Sequence, residues 1–382
     1  MAEPQTPPPV APATPAPAKP AAVDQFPCAQ CGASLRFKPG SDVEKCDHCG
    51  FENPIPKRPW TRIEEQDLEA GLSHIENTAA VEEKRTVKCG ACAAEFTFDP
   101  NVHAASCPFC GSPVVAETKT VRVIQPAALV PFELDDKAAQ GAFKKWLGHL
   151  WFAPNDLTKF AMTEGRLAGM YVPYWTYDAQ TYSAYDGERG DVYYVPETVT
   201  REVDGKMVTE TRQRREIRWT YVTGNVERFF DDMLVVASRS LPKKYADRLD
   251  TWRLASLQPY RTEYIAGFRS EVYQVTLKDG FAEAKRRMED QIRSDVRSDI
   301  GGDEQRVHNV NTRWEELRFK HILLPVWLAA YRYRGKVYQI LINGQTGEVE
   351  GARPYSWIKI ALASLAAAIV AGVVIWLIAK GR

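Results

Sequence analysis

Residues 28–50 read CAQCGASLRFKPGSDVEKCDHCG, and residues 89–111 read CGACAAEFTFDPNVHAASCPFCG. Each stretch holds two Cys-x-x-Cys pairs separated by fourteen residues (32–45 and 93–106), and the second copy lies 61 positions after the first. The likeness runs past the cysteines. Leu35, Phe37 and Pro39 align with Phe96, Phe98 and Pro100, and Gly50 aligns with Gly111. Two residues between cysteines let one tight turn aim both sulfurs at one ion, and two such turns complete a tetrahedron with Zn–S distances of about 2.3 Å. A glycine after the last cysteine tolerates the positive φ that such turns often need. The alternation at Leu35/Phe37 and Phe96/Phe98 reads as a hairpin strand leaving the first turn. The spacing predicts two small β zinc ribbons, one liganded by Cys28, Cys31, Cys46 and Cys49, the other by Cys89, Cys92, Cys107 and Cys110. Four thiolates leave no open coordination position, so two structural zinc ions are expected. Ligand type alone leaves iron open, as in rubredoxin-like knuckles. His48 and His103 fall inside the ribbons and read as bystanders.

Outward from the ribbons the chain changes character. Residues 1–23 are rich in proline and alanine, with no bulky apolar cluster, and read as an extended disordered tail that acts as a spacer. They carry no basic-then-apolar export signal, so a reducing compartment and metal, rather than disulfides, are expected for the cysteines. A redox role would call for a single Cys-x-x-Cys at a helix start in a βαβ unit. Between the ribbons, residues 59–85 read as a linker with a short docking helix carrying Ile63, Leu68, Leu72 and Ile75. At the other end, residues 360–379 (IALASLAAAIVAGVVIWLIA) hold 20 uncharged residues. At about 1.5 Å per residue they span about 30 Å, a bilayer's hydrocarbon thickness. Trp357 and Lys359 flank one edge and Trp376, Lys380 and Arg382 the other, as interfacial anchors do. A single transmembrane helix over 357–380 is predicted. Ser364, Ala368 and Gly372 form a small-xxx-small face of the kind that packs two helices closely, as in a homodimer, a spacing that an alanine-rich segment also produces by composition.

Residues 119–356 carry most of the aromatic load and read as an α+β domain with an internal duplication. The first half has a strand at 127–134, then a helix from Asp135 or Asp136 with Phe143, Trp146, Leu147, Leu150 and Trp151 on one face, ending at Pro154. The strand Val172-Pro173-Tyr174-Trp175 follows. The second half has a strand at 270–277, then a helix capped by Asp279 with Phe281, Met288, Ile292 and Val296 on its apolar face. It ends in Leu324-Pro325-Val326-Trp327. Each Pro-x-Trp strand leads into a tyrosine-rich one, 177–185 and 331–338. Asp204-Gly205 and Asn343-Gly344 mark hairpin turns. Residues 186–236 read as an insertion, with Arg212, Arg214, Arg215 and Arg218 on a solvated hairpin face.

Function classes narrow on charge and motif. The chain balances 49 Lys+Arg against 49 Asp+Glu. Residues 24–125 hold 11 Lys+Arg against 15 Asp+Glu, a net of −4 before the thiolates are counted. Nucleic-acid affinity rests on cationic contacts to phosphates, so nucleic acid is not the expected partner. No catalytic residues are assigned: HExxH, GxSxG, a Walker loop and a dinucleotide fingerprint are all missing, and the six histidines are scattered. Asp231-Asp232 is a candidate carboxylate pair, but sequence neighbours on a regular strand point to opposite faces, and a turn or helix cap explains the pair equally well.

The two ribbons, GRLAGMYVPYWTYDA (165–179), RWTYVTGNVERFFDDMLVVAS (218–238) and ILINGQTGEVEG (340–351) together resemble a bacterial family of transcription-factor-IIB-type zinc-ribbon proteins, over about residues 24–355. Many members carry the automatic name primosomal protein N′ (replication factor Y). This chain lacks the nucleotide-binding loop a helicase needs. The resemblance implies a membrane-associated protein in a membrane-stress setting, with phage-shock-type proteins as partners. The expected molecule is a multidomain chain: ribbons at 24–58 and 86–118, the α+β domain, and a C-terminal tail anchor. Its soluble domains would face the cytoplasm from the inner membrane as a non-enzymatic adaptor for unidentified protein partners. A membrane-tethered nucleic-acid binder and an enzyme of unrecognised type in the α+β domain are the other readings.

Overall fold

The computed structural model describes residues 27–56, 63–74, 81–89, 95–97, 104–107, 109, 112–115, 119–164, 167–203 and 206–380. The expected tail, Cys92, Cys110, Phe98, Pro100, His103, Ile75 and the Asp204-Gly205 turn lie outside these residues.

The first ribbon is the three-stranded antiparallel sheet β1 (Leu35–Phe37), β2 (Val43–Cys46) and β3 (Glu52–Pro54). The linker supplies a short edge strand, β4 (Gln66–Asp67), and helix α1 (Leu68–His74). In the second cysteine segment β5 (Val81–Lys88) pairs with β6 (Glu95–Thr97), and β7 (Ala104–Ser106) pairs with β8 (Pro113–Val115); β9 (Lys119–Ile124) completes the sheet on the other side of β5. The body begins with β10 (Ala128–Leu129), α2 (Asp136–Gly148) and α3 (Leu157–Glu164). Two very long strands follow, β11 (Leu167–Val203) and β12 (Lys206–Val236). Then come α4 (Lys243–Ala246), β13 (Gln258–Pro259), α5 (Thr262–Ile265), β14 (Arg269–Ser270) and α6 (Leu277–Ile300). The chain closes with β15 (Glu304–Tyr333), β16 (Lys336–Asn343), β17 (Val349–Gly351) and α7 (Trp357–Lys380).

The antiparallel pair β11/β15 is the spine of a nine-stranded sheet. Side chains alternate across it, as strands require. Met170, Val172, Tyr174, Leu324, Val326 and Leu328 point to one face, and Tyr171, Leu323, Trp327, Ala329 and Tyr331 to the other. Both faces are covered at this end, so the strands read as continuous apolar runs. The pairing near the two prolines has a local two-fold pattern. Tyr171 opposes Pro325 and Pro173 opposes Leu323. β10 runs parallel beside β15 at Ile322–Leu323, as β14 does beside β11 at Met170–Tyr171. The carbonyls of Pro173 and Pro325 accept from Ala237 and Gly344, at 2.9 and 2.7 Å. Each proline sits where the flanking strand gives way to another, so its missing N–H costs no ladder bond.

Beyond this body the sheet narrows into an arm. β15 accompanies β11 as far as Gly190, and among the described residues β11 and β12 then continue as a pair to Val203↔Lys206. At about 3.3 Å per residue the two-stranded part reaches about 40 Å further. Helix α6 covers one face of the three-stranded part. Its buried residues, Leu277, Gly280, Ala284, Met288, Ile292, Val296 and Ile300, recur at three and four, the stripe of an amphipathic helix. They pack against Trp175, Tyr177, Phe230 and Phe319. Gly280 permits this approach, because a Cβ there would stand 2.4 Å from Tyr177 Oη and 2.9 Å from Trp175 Cδ1.

Several expectations change. The α6 cap is Thr276, whose side chain accepts from Asp279 N–H at 3.1 Å, and Asp279 sits in the first turn. α2 starts at Asp136, one of the two expected positions, with Asp135 as its cap, but it ends at Gly148 rather than Pro154. Trp151 therefore lies beyond the helix and is 78% exposed, while Phe143, Leu147 and Leu150 are buried. The strand expected over 270–277 is reduced to Arg269–Ser270; beyond it the N–H groups of Gln274 and Val275 both donate to Ala237 O, at 2.7 and 3.1 Å, and form no ladder.

Candidate metal centre

Cys28, Cys31, Cys46 and Cys49 converge at the tip of the first ribbon. Two turns place them. Gly32 and Gly50 follow the second cysteine of each turn with φ of +72° and +76°. Their N–H groups return to the carbonyls of Cys28 and Cys46 at 2.8 and 3.0 Å. The four sulfurs lie within 4.8 Å of one another. Cys28 and Cys49 are 3.6 Å apart and Cys31 and Cys46 are 3.5 Å apart. A tetrahedron with metal–sulfur bonds of about 2.3 Å has edges of about 3.8 Å, so the cluster fits one ion with little adjustment. Cys28 and Cys46 are buried against Leu35, and Cys31 and Cys49 face solvent. Backbone N–H groups of Cys49 and His48 outweigh burial and pull the Cys46 thiol down to about 6. At Cys31 and Cys49 the backbone hydrogen bonds are outdone by burial and the neighbouring sulfurs, which push both up, so the four share charge unequally until a cation sits among them. No water or carboxylate position is required to close the set.

The ribbon is fastened to the body by the alternation read from its sequence. Leu35 and Phe37 share the inward face of β1; Leu35 packs on the sulfurs and Phe37, two residues on, reaches the α2 face of the sheet. The Phe37 ring meets Tyr264 edge-on at 5.3 Å, and its N–H donates to Ala266 O at 2.9 Å.

In the second segment Cys89 and Cys107 are described. They occupy the places of Cys28 and Cys46 in the repeat and are likewise buried, at 1% and 2% exposure. Cys107 N–H donates to Ser112 O at 2.7 Å, the counterpart of Cys46 N–H to Phe51 O at 2.9 Å. With Phe109 they join the core on the opposite sheet face, among Ala128, Val326 and Leu341. The two cysteine segments thus bear on opposite faces of one sheet. Their other ligand candidates, Cys92 and Cys110, lie outside the described residues.

A second group is one the sequence shows only in part. Asp178, Asp231 and Asp232 bring carboxylate oxygens within 4.8 Å of one another. A β-bulge does this: Tyr177 pairs with Met233 and Ala179 with Phe230, so Asp231 and Asp232 together oppose Asp178. Asp232 takes φ +51°, and its N–H donates to Asp178 Oδ1 at 2.6 Å. The bulge breaks the alternation that would have sent the two neighbours to opposite faces. Lys320 supplies the cation. Its Nζ lies 2.7 Å from Asp232, 3.1 Å from Glu65 and 3.9 Å from Asp178. Burial pushes the Asp178 carboxyl up to about 6. Burial would also raise Glu65, but its hydrogen bond and ion pair with Lys320 prevail and hold it below the usual range.

Three of the four arm arginines singled out in the sequence are matched by acids. Arg212 meets Glu210, Arg214 meets Glu197 and Glu216, and Arg215 meets Glu304, all within 3.4 Å. Arg218 lies over the Tyr193 ring at 5.3 Å. α7, finally, has 24 residues, with Lys359 and Lys380 near its ends, no other charge between them, and no buried side chain. It is long and apolar enough to cross a membrane.

No family model and no solved structure matches the chain. It is similar to the protein named Uncharacterized protein YdjG of Bacillus subtilis (strain 168), with 26% identity over 349 residues, covering 88% of this chain and 92% of that relative.

Proposed function

We propose that this chain is a non-enzymatic scaffold held at the cytosolic face of a membrane by α7, with two structural tetrathiolate zinc centres that shape its docking surface for protein partners. The observation that carries the reading is the convergence of four sulfurs, with no fifth ligand required, on a chain that also has a long bare apolar helix. Such a centre cross-links backbone and leaves no place for a substrate. The matched placement of Cys89 and Cys107 supports a second centre completed by Cys92 and Cys110. The two-fold pairing around Pro173 and Pro325 supports a duplicated body. The Lys320 ammonium seated among Asp178, Asp232 and Glu65 favours a protein partner over a metal-assisted reaction, and the acids that match Arg212, Arg214 and Arg215 favour it over nucleic acid. The resemblance to zinc-ribbon membrane proteins gives membrane stress as the setting.

The test is fractionation and capture. The full chain is expected in the membrane fraction after alkaline extraction, and a chain ending at Ser356 in the soluble fraction. Proteins captured with the membrane-embedded chain should be lost with Cys89→Ser or Cys28→Ser. Recovery of the same proteins by the cysteine variants, or a soluble full chain, refutes the proposal.

A further inference from the structure

The turn after α2 has two features that the core does not use. Trp151 is 78% exposed and Phe152 is 39% exposed, in a segment that a continued helix would have buried. This turn is bound to the start of α7. Ser356 N–H donates to Phe152 O at 2.7 Å, and Lys359 Nζ donates to the carbonyls of Trp151 and Ala153 at 3.2 and 2.8 Å. On the α7 side Tyr355 and Trp357 are 59% and 77% exposed, and Arg353 Nε donates to Tyr355 Oη at 3.3 Å. Four exposed aromatics with two cations therefore stand around the point where the apolar helix leaves the body. Tryptophan and tyrosine favour this depth in a bilayer, because the ring is apolar and its N–H or O–H still reaches water and headgroups. Lysine near a helix end places its ammonium at the same level.

We infer that the Trp151–Phe152 turn is a second membrane contact, seated in the headgroup layer of a phospholipid bilayer beside Trp357, so that the body lies against the membrane in one orientation instead of swinging on α7. The inference rests on the proposed insertion of α7. The occupant is a lipid surface because the patch is continuous with that helix, and because hydrogen bonds from Ser356 and Lys359 hold the turn at its first residues. Two points of contact fix an orientation that one helix leaves free.

Tryptophan quenching tests it on the full chain, reconstituted in phospholipid bilayers whose lipids are brominated high on the acyl chain. Trp151→Phe, Trp357→Phe and Trp376→Phe are compared with the parent. Each variant is expected to lower the lipid-quenched intensity by the share of one tryptophan. If Trp376→Phe lowers it and Trp151→Phe leaves it unchanged, α7 is inserted but the turn stands clear of the lipid, and the inference is overturned. If none of the three changes it, α7 is not in the bilayer and the tether falls together with the inference.

Discussion

Glu271 is 3% exposed and lies beside Ser238, whose hydroxyl donates to it at 2.8 Å. Burial outweighs that hydrogen bond and pushes the carboxyl up to about 8. The unfolded chain releases this proton near the usual value of about 4.3. Between those values the folded state holds more protons, so the contribution of Glu271 is full below the unfolded pKa and is lost as pH rises toward 8, at up to about 1.4 kcal/mol per pH unit. Glu271→Gln should match the parent near pH 4 and exceed it in urea midpoint at pH 7–8; equal pH slopes would contradict this. Lys320 has the opposite charge logic. It is 7% exposed among Asp178, Asp232 and Glu65, and Lys320→Met leaves buried carboxylates without a cation. A loss of about 3–5 kcal/mol is expected, with part recovered when Asp178→Asn is added. A wild-type midpoint for Lys320→Met would show that the cluster is solvated. The cysteines were legible at this scale because ligand spacing is local. Lys320 and Asp178 were not, because a bulge and a neighbouring strand bring them to Asp232, and neither leaves a local pattern.

Among the elements, α6 gives the clearest test of packing against propensity. Gly280→Ala would gain about 1 kcal/mol of helix propensity on an exposed face. Here the added methyl meets Tyr177 Oη and Trp175 Cδ1, and forced overpacking costs about 1–3 kcal/mol. The variant should therefore denature at lower urea than the parent; a rise would mean that α6 does not seat on β11 as described. Thr276→Ala should cost about 1 kcal/mol through loss of the cap to Asp279 N–H, whereas Asp279→Ala should cost less. The apolar stripe of α6 was readable because its period is that of a helix. The arm was readable only as a hairpin. β11 and β12 pair over most of their length, and β15 returns along β11 as a third strand, which turn residues and alternation do not reveal.

At the scale of the whole molecule, the two cysteine segments pack into the body rather than standing as beads on a string. Phe37 is 3% exposed and bridges the first ribbon to Tyr264 and Phe268. Phe37→Ala should cost about 3–5 kcal/mol and free the ribbon to faster proteolysis, without lowering metal content, since Leu35 rather than Phe37 faces the sulfurs. The spacing showed that Cys28, Cys31, Cys46 and Cys49 belong together, but not that the two cysteine segments bear on opposite sheet faces, because the docking contacts join residues far apart in the chain. The central claim is that the cysteines form closed structural metal centres, and X-ray absorption at the zinc edge of the purified full chain tests it most directly. The account predicts two zinc ions per chain, each with four sulfur neighbours at about 2.3 Å and no lighter ligand. A nitrogen or oxygen in the coordination sphere, or fewer than two metal ions per chain, would contradict it.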